Sequence, residues 1–408
     1  MLVMKKSLFY AVLLIIVSFL FVQCKKDDNS STPSGSTYSI VYQKSDTYAY
    51  YNARSLKSAI LSDASLTYSL KPDQDSQTNY EIILGKSSRD EVKDVASLIS
   101  GNGYAIKKVG KKLVIYGTDD NYLALALYVF DKNVLKNSQL TGKGFLYLDK
   151  VEDVVVSNQN IKFNLNYVVK NNLDVMTSLT YICNCPASGS YYVGQGSCTD
   201  GDNVYFVIRN NTDNGSIVYK YSGSSFQQLA KTDVFDGGHS NDMTYDSKNG
   251  RVICISGGTS AALKYTVSYI DPSTMKVTTP VTISTGVTAL TYNASKNQYA
   301  GRYGSNLYIM DENFNTIKTG TRTDGSSLTS QGMGSDDDYF YFPMSGSTNE
   351  ILVYDWATVK YIRTFTISTS QESESMFKMK DDYYLNFYKS GKGSDLYRLD
   401  LTLFYNPS

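Results

Sequence analysis

Between residues 165 and 405 the chain repeats itself, and that repeat restricts the possible folds more than any other feature. "GQGSCTDGDNVYFVI", "HSNDMTYDSKNGRVICI", "GVTALTYNASKNQYAGR", "TSQGMGSDDDYFYFPM" and "SESMFKMKDDYYLNFY" follow one plan. A small or polar lead-in opens a short strand, a turn of Asp, Asn, Gly or Lys follows, and an aromatic-rich strand comes next. "SIVYKY", "TVSYIDP", "NLYIMD", "EILVYDW" and "SDLYRLD" then supply a third strand to each unit, and four units add a fourth, such as "VKYIRTFTI". The strand-opening positions are Gln195, Asn241, Thr288, Gln331 and Glu374, spaced by 46, 47, 43 and 43 residues. Four short strands at that period form one blade of a β-propeller. Five blades are the simplest count. The last unit lacks its fourth strand, and "SLTYICNC" upstream is available to complete it and close the ring. A sixth blade built from residues 151–190 is the alternative.

In a propeller the first strand of each blade runs along the central channel, so its opening residue faces the axis. Gln195, Asn241, Thr288, Gln331 and Glu374 are therefore expected to ring one mouth, with His239, Ser240, Asp242 and Glu372 just outside. Amides, a hydroxyl and carboxylates in that arrangement suit hydrogen bonding to a polyhydroxylated ligand, with tyrosines stacking on sugar faces. The competing structural reading is that these groups satisfy turns and channel water. His239 is the chain's one histidine. As a general base it would need an orienting carboxylate and a nucleophile within reach. Ser240 and Asp242 lie too close in sequence for that, because neighbours on a strand alternate sides. Glu374 across the channel is the remaining candidate partner, and defines the enzymatic alternative, a lyase or glycan-cleaving propeller using His239 and Glu374. "SDDDYF" at 336–338 lacks the spaced calcium loop and reads as a turn. No metal set and no cofactor motif stands out.

"HSNDMTYD", "SQGMGSDDDYFYF" and "SESMF" resemble repeats of bacterial surface propellers of the streptogramin-lyase-like and quinoprotein-like superfamily. That resemblance implies an envelope setting and no particular activity.

Residues 38–150 read differently. "YSIVY", "LTYSLKP" and "NYEIILGK" are short apolar strands. "TYAYYNARSLKSAILSDA" has helical spacing at Tyr51, Leu56, Ile60 and Leu61. "SRDEVKDVASLI" opens with a Ser88–Glu91 capping box, "GYAIKKVGKKLVIYG" is a hairpin turning at Gly110, and "DDNYLALALYVFDKNVL" is an apolar helix. The order predicts one sheet covered by helices. "NYEIILGKSSRDEV…GYAIKKVGKKLVIYGTDDNYLALALYVF" is similar to the small α/β domain that precedes the barrel of β-N-acetylhexosaminidases and α-glucuronidases. In those enzymes the barrel carries the catalytic carboxylates. A (β/α)₈ barrel takes about 250 residues of alternating strand and helix, whereas β-sequence follows here, so the resemblance implies a glycan-related setting without glycosidase chemistry.

The first 37 residues are a targeting segment and tether. Lys5 and Lys6 precede an apolar run at 8–22, Cys24 follows, and Lys25–Thr37 is polar. This resembles a lipoprotein signal of the Bacteroidetes type, with Phe21 and Gln23 departing from the usual lipobox and "CKKDD" similar to surface-export signals. It implies lipidation of Cys24, an outer-membrane lipoprotein exposed at the cell surface, and this organisation: signal 1–24, tether 25–37, small α/β domain 38–150, propeller 151–408. The 39 basic and 39 acidic residues balance, which disfavours nucleic acid, whose phosphates demand a basic stripe. The expected partner is a glycan or a cell-surface protein, bound without catalysis; a pure interaction scaffold is the other alternative. Cys183, Cys185, Cys198 and Cys254 are expected to be buried or disulfide-linked, with the pairing open among three possibilities.

Overall fold

A computed structural model describes residues 38–137, 141–142, 145–146, 150–257 and 265–407. Cys24, the signal and the tether lie outside the described residues.

The first sheet contains β1 (Ser39–Tyr42), β2 (Ser69–Pro72), β3 (Glu81–Leu84), β4 (Tyr104–Val109) and β5 (Lys112–Gly117), in the order β2-β1-β3-β5-β4. The first four in that order are parallel, and the β4–β5 hairpin makes the antiparallel edge. Alternation along the strands gives the sheet two apolar faces. Ile40, Ile82, Leu84, Ile106, Leu113 and Ile115 meet the helices α1 (Thr47–Ala64) and α3 (Asp120–Phe130). Val41, Ile83, Ala105 and Val114 meet α2 (Asp90–Ala96). Asp46 and Asp119 cap α1 and α3, accepting from the Ala49 and Tyr122 amides at 3.0 Å. The expected Ser88–Glu91 box does not form. The Ser88 amide donates to Asp73 Oδ2 at 2.7 Å and Glu91 pairs with Lys112 at 2.8 Å, so both partners are taken, and Arg89 is the cap position. On α1, Leu56 and Ile60 are buried as the spacing predicts, but Tyr51 and Leu61 are each 50% exposed.

A short hairpin, β6 (Thr141–Gly142) and β7 (Phe145–Leu146), follows. β8 (Val154–Val156) then returns to the first sheet beside β4, so that sheet runs past residue 150. α4 (Leu165–Lys170) leads out. Residues 151–174 are thus used as a sheet edge and a helix, and no sixth blade forms from 151–190.

The rest is a five-bladed propeller. Blade 1 is β10 (Tyr191–Thr199), β11 (Asn203–Asn210), β12 (Ser216–Ser222) and β13 (Gln228–Lys231). Blade 2 is β14 (Asp242–Asp246), β15 (Arg251–Ile255), β16 (Thr266–Ile270) and β17 (Val281–Thr282). Blade 3 is β18 (Ala289–Asn293), β19 (Gln298–Tyr303), β20 (Asn306–Met310) and β21 (Thr316–Thr321). Blade 4 has an interrupted inner strand, β22 (Thr329–Ser330) and β23 (Gly334–Ser335), then β24 (Tyr339–Ser345), β25 (Asn349–Asp355) and β26 (Tyr361–Ile367). Blade 5 is β27 (Glu372–Met379), β28 (Asp382–Lys389) and β29 (Gly393–Leu403), and its fourth strand is β9 (Val175–Pro186), which contains "SLTYICNC". The register runs from Leu403 on Val175 to Gly393 on Pro186.

Tyrosine phenols bond the turns that follow the inner strands of blades 1, 2 and 4. Asp200, Asp246 and Asp336 each cap their own turn, accepting backbone N–H groups from residues two or three ahead. Each also accepts a phenol: Tyr205 on Asp200 at 2.6 Å, Tyr299 on Asp246 at 2.9 Å, and both Tyr341 and Tyr383 on Asp336. Tyr299 and Tyr383 belong to the following blades, so these charge-assisted bonds cross blade seams. The oxygens of Asp336 are occupied in this way, which makes "SDDDYF" a structural turn. Cys183, Cys185, Cys198 and Cys254 are free thiols. Burial pushes Cys183, Cys185 and Cys254 up to about 12 and Cys198 well above its usual value, so none is an activated nucleophile.

The C-terminal residues leave β29 and enter the first core. Leu403 N donates to Asn121 Oδ1 at 2.8 Å and Tyr405 N to Asn52 Oδ1 at 2.9 Å. The Tyr405 ring is fully buried, edge-on to Tyr128 at 5.3 Å. Tyr128 in turn donates to Phe404 O and accepts from the Asp174 amide just before β9. Residues 38–408 accordingly form a single compact unit. Tyr405→Ala is expected to cost about 3–5 kcal/mol in urea unfolding, against under about 0.5 kcal/mol for Tyr51→Ala at the surface.

Candidate functional site at the propeller mouth

The inner strands β10, β14, β18, β23 and β27 touch in turn, and β27 meets β10. Their openings are therefore neighbours around one axis. A Cβ at Gly196 would lie 2.6 Å from the Asp242 backbone, and one at Gly332 would lie 2.5 Å from Glu374 O. Asn241 spans three blades, with Nδ2 donating to Thr288 O and Gln331 O, each at 2.8 Å. Gln331 Nε2 donates to Glu372 Oε1 at 2.8 Å. Thr288 Oγ1 donates to Arg302 O at 3.1 Å.

These side chains divide into two groups. Gln195, Asn241, Asp242 and Glu374 are buried, whereas Thr288, Gln331 and His239 are half-exposed and Glu372 is exposed. Asp242, expected beside the ring, is instead beneath it as a fully buried cross-link. Its Oδ1 accepts from Met243 N at 2.9 Å, and its Oδ2 accepts from Leu290 N at 3.0 Å and Met333 N at 2.9 Å. One carboxyl thus joins blades 2, 3 and 4. Burial pushes it well above the usual carboxylate range, opposed by those three amides and by Arg302. Thr244 and Asp246, two and four residues on, continue the same face, taking Tyr292 N and the Tyr299 phenol of blade 3. The period of two makes one polar strand face into a seam.

His239 is partnered by Asp213 and not by Glu374. Its Nδ1 lies 3.0 Å from Asp213 Oδ2, and Arg209 Nη1 holds Asp213 Oδ1 at 2.5 Å. Asp213 sits in the β11–β12 turn with φ +54°, and Gly238 and Ser240 also have positive φ, so two tight turns bring the pair together. No periodic signal marks Asp213, because "NNTDNGS" looks like any hairpin turn.

Glu374 lies where the β27–β28 register shifts between Ser373 and Ser375. Burial pushes its carboxyl well above the usual range; Glu372 and Asp242 add like charge, while Arg209 pulls down. Arg302, absent from the expected set, is half-buried on β19. Its Nη2 donates to Ser330 O at 2.8 Å, and burial with the neighbouring Arg322 lowers it to about 10, against the pull of Asp242. The arrangement is a rigid polar floor carrying a few exposed hydrogen-bonding groups.

No known protein family and no curated protein matches this sequence. Among solved structures, Myxococcus xanthus glutaminyl cyclase is 12% identical with a TM-score of 0.42, covering 56% of this chain and 98% of that one. The Myceliophteria thermophila Cps50 (Swd1) β-propeller domain is 9% identical at TM-score 0.34, covering 54% and 99%. Kuenenia stuttgartiensis hydrazine synthase is 8% identical at TM-score 0.32, covering 51% and 59%.

Asp242→Ala leaves three buried amides without an acceptor and is expected to cost at least about 3 kcal/mol. Thr288→Ala at the rim should cost under about 1 kcal/mol; urea unfolding of the two variants checks the difference.

Proposed function

We propose that this chain is a lipid-anchored surface protein, held to the membrane through Cys24, that binds a glycan at the propeller mouth without transforming it. The supporting observation is the division of the ring: Thr288, Gln331, Glu372 and His239 reach solvent, while Asn241 and Asp242 are buried and fixed by inter-blade hydrogen bonds. Directional polar groups on a preorganised floor lose little on binding, which suits hydroxyl-rich ligands. Palmitate labelling of the full chain should disappear in Cys24→Ser. Residues 38–408, applied to a glycan array, should give a signal that Gln331→Ala with Glu372→Ala removes while thermal stability is kept. A silent array accompanied by a co-purifying surface protein would replace this reading with an interaction scaffold.

A second reading rests on the Asp213–His239 pair. A carboxylate on Nδ1 orients the imidazole and leaves Nε2 as a base, with Arg209 steadying Asp213. This supports an enzymatic propeller in which Asp213 takes the orienting place first considered for Glu374. Product release from polysaccharides, lost in both His239→Ala and Asp213→Asn, would establish it; turnover undiminished in His239→Ala would end it.

A further inference from the structure

One cluster in the seam between blades 1 and 5 is left unexplained by either reading. Gln195, Glu374, Asn386 and Ser394 are 3%, 1%, 0% and 0% exposed. Each has a buried side-chain oxygen with no hydrogen-bond partner: Gln195 Oε1, Glu374 Oε2, Asn386 Oδ1 and Ser394 Oγ. Buried acceptors are ordinarily paired, and an unpaired one is costly. Here four come from a single neighbourhood. Asn386 Nδ2 donates to Gln195 O, Ser375 pairs in register with Asn386, and Ser375 bonds Ser197 of β10 at 2.7 Å. Val193 pairs with Gly393, which joins the two blades edge to edge beside Ser394.

The orientation of both amides is fixed by their nitrogens. Gln195 Nε2 donates to Gly194 O at 2.9 Å, and Asn386 Nδ2 is spent on Gln195 O. Turning either amide over would set oxygen against oxygen, so both must keep their carbonyls free. Gly194 is a glycine of close approach: it lies outside the positive-φ positions, and a Cβ there would come within 2.1 Å of Ser394 Oγ. The nearby cation, Arg209, is engaged through Nη1, which holds Asp213 and Asn210 O, while its Nε is buried without a partner. Glu372 and Asp242 add further negative charge near Glu374.

We propose that this seam is a binding site for a small hard cation, held by Gln195 Oε1, Glu374 Oε2, Asn386 Oδ1 and Ser394 Oγ, with Gly194 keeping the space open. Neutral carbonyl, hydroxyl and carboxylate oxygens are calcium- and sodium-type donors, and the set contains no sulfur or imidazole. One carboxyl and three neutral oxygens make a weak site, in the range of about 10⁻⁴–10⁻³ M typical of extracellular calcium modules. The assignment is independent of what the mouth binds.

The test uses the chain from residue 38 onward in chelator-treated, sodium-free buffer, titrated separately with calcium chloride, sodium chloride and magnesium chloride. Thermal unfolding and calorimetry are read together. Saturable binding of calcium or sodium that raises the melting temperature is expected, and which salt acts identifies the ion. Magnesium should bind at least tenfold more weakly than calcium, if calcium is the ion, because it demands a tighter octahedral shell. Glu374→Gln and Gly194→Ala should each abolish the cation-dependent rise, and Thr288→Ala at the mouth should preserve it. No saturable response to calcium or sodium in the folded parent chain would overturn the site, as would an equal response in folded Glu374→Gln. Should Gly194→Ala fail to fold, Ser394→Ala, which removes one oxygen of the cradle and breaks no hydrogen bond, is expected to weaken calcium or sodium binding; unchanged binding in that variant would also count against the site.

Discussion

The pairing of β9 with β29 is the constraint on which the rest of the molecule depends. It takes a strand that precedes blade 1 in sequence and makes it the outer strand of blade 5. A propeller is a sheet array whose ends must be joined, and the ring is only as permanent as that join. Both strands of the closure are also anchored outside the ring. β9 begins just after Asp174, whose amide is held by Tyr128 of the first domain, and β29 runs on to Tyr405 in that domain's core. The small α/β unit therefore does more than precede the propeller, since it holds the two ends of the closing blade together. Bringing those ends near each other in advance lowers the entropic cost of closing a ring of this length.

Closure brings the polar inner strands together, and the axis is then held by side chains where a sheet ladder cannot reach. Asp242 joins three blades through backbone amides, Asn241 joins the same three one residue higher, and the Asp–Tyr pairs hold the opposite ends of the seams. These cross-links are directional, so they specify which blades meet as well as holding them. They also account for the burial of Asn241 and Asp242, the two mouth residues that join blades.

The propeller fold and the strand that closes it were legible in the sequence, with five blades the simplest count, because repetition exposes equivalent strands without reference to their surroundings. The roles of individual ring members were not. Whether Asp242 lies beside the ring or beneath it depends on where the amides of Leu290 and Met333 arrive, which is set by blades far along the chain. Asp213 is 26 residues from His239 and meets it only because two turns with positive φ converge. Ser88 and Glu91 have the spacing of a capping box, yet tertiary partners outbid the local motif. Asn386 and Ser394 lie on second and third strands, outside any repeat register that marks a site.

The most direct test of this architecture is native-state hydrogen exchange of the β9 amides that donate to β29, in residues 38–408. A ring closed by β9 predicts that these amides open only with the global unfolding of the propeller, at the same free energy as the inner strands of blades 1–4. Fast exchange of β9, with those inner strands still protected, would mean that the ring stands without its closing strand and would contradict the account.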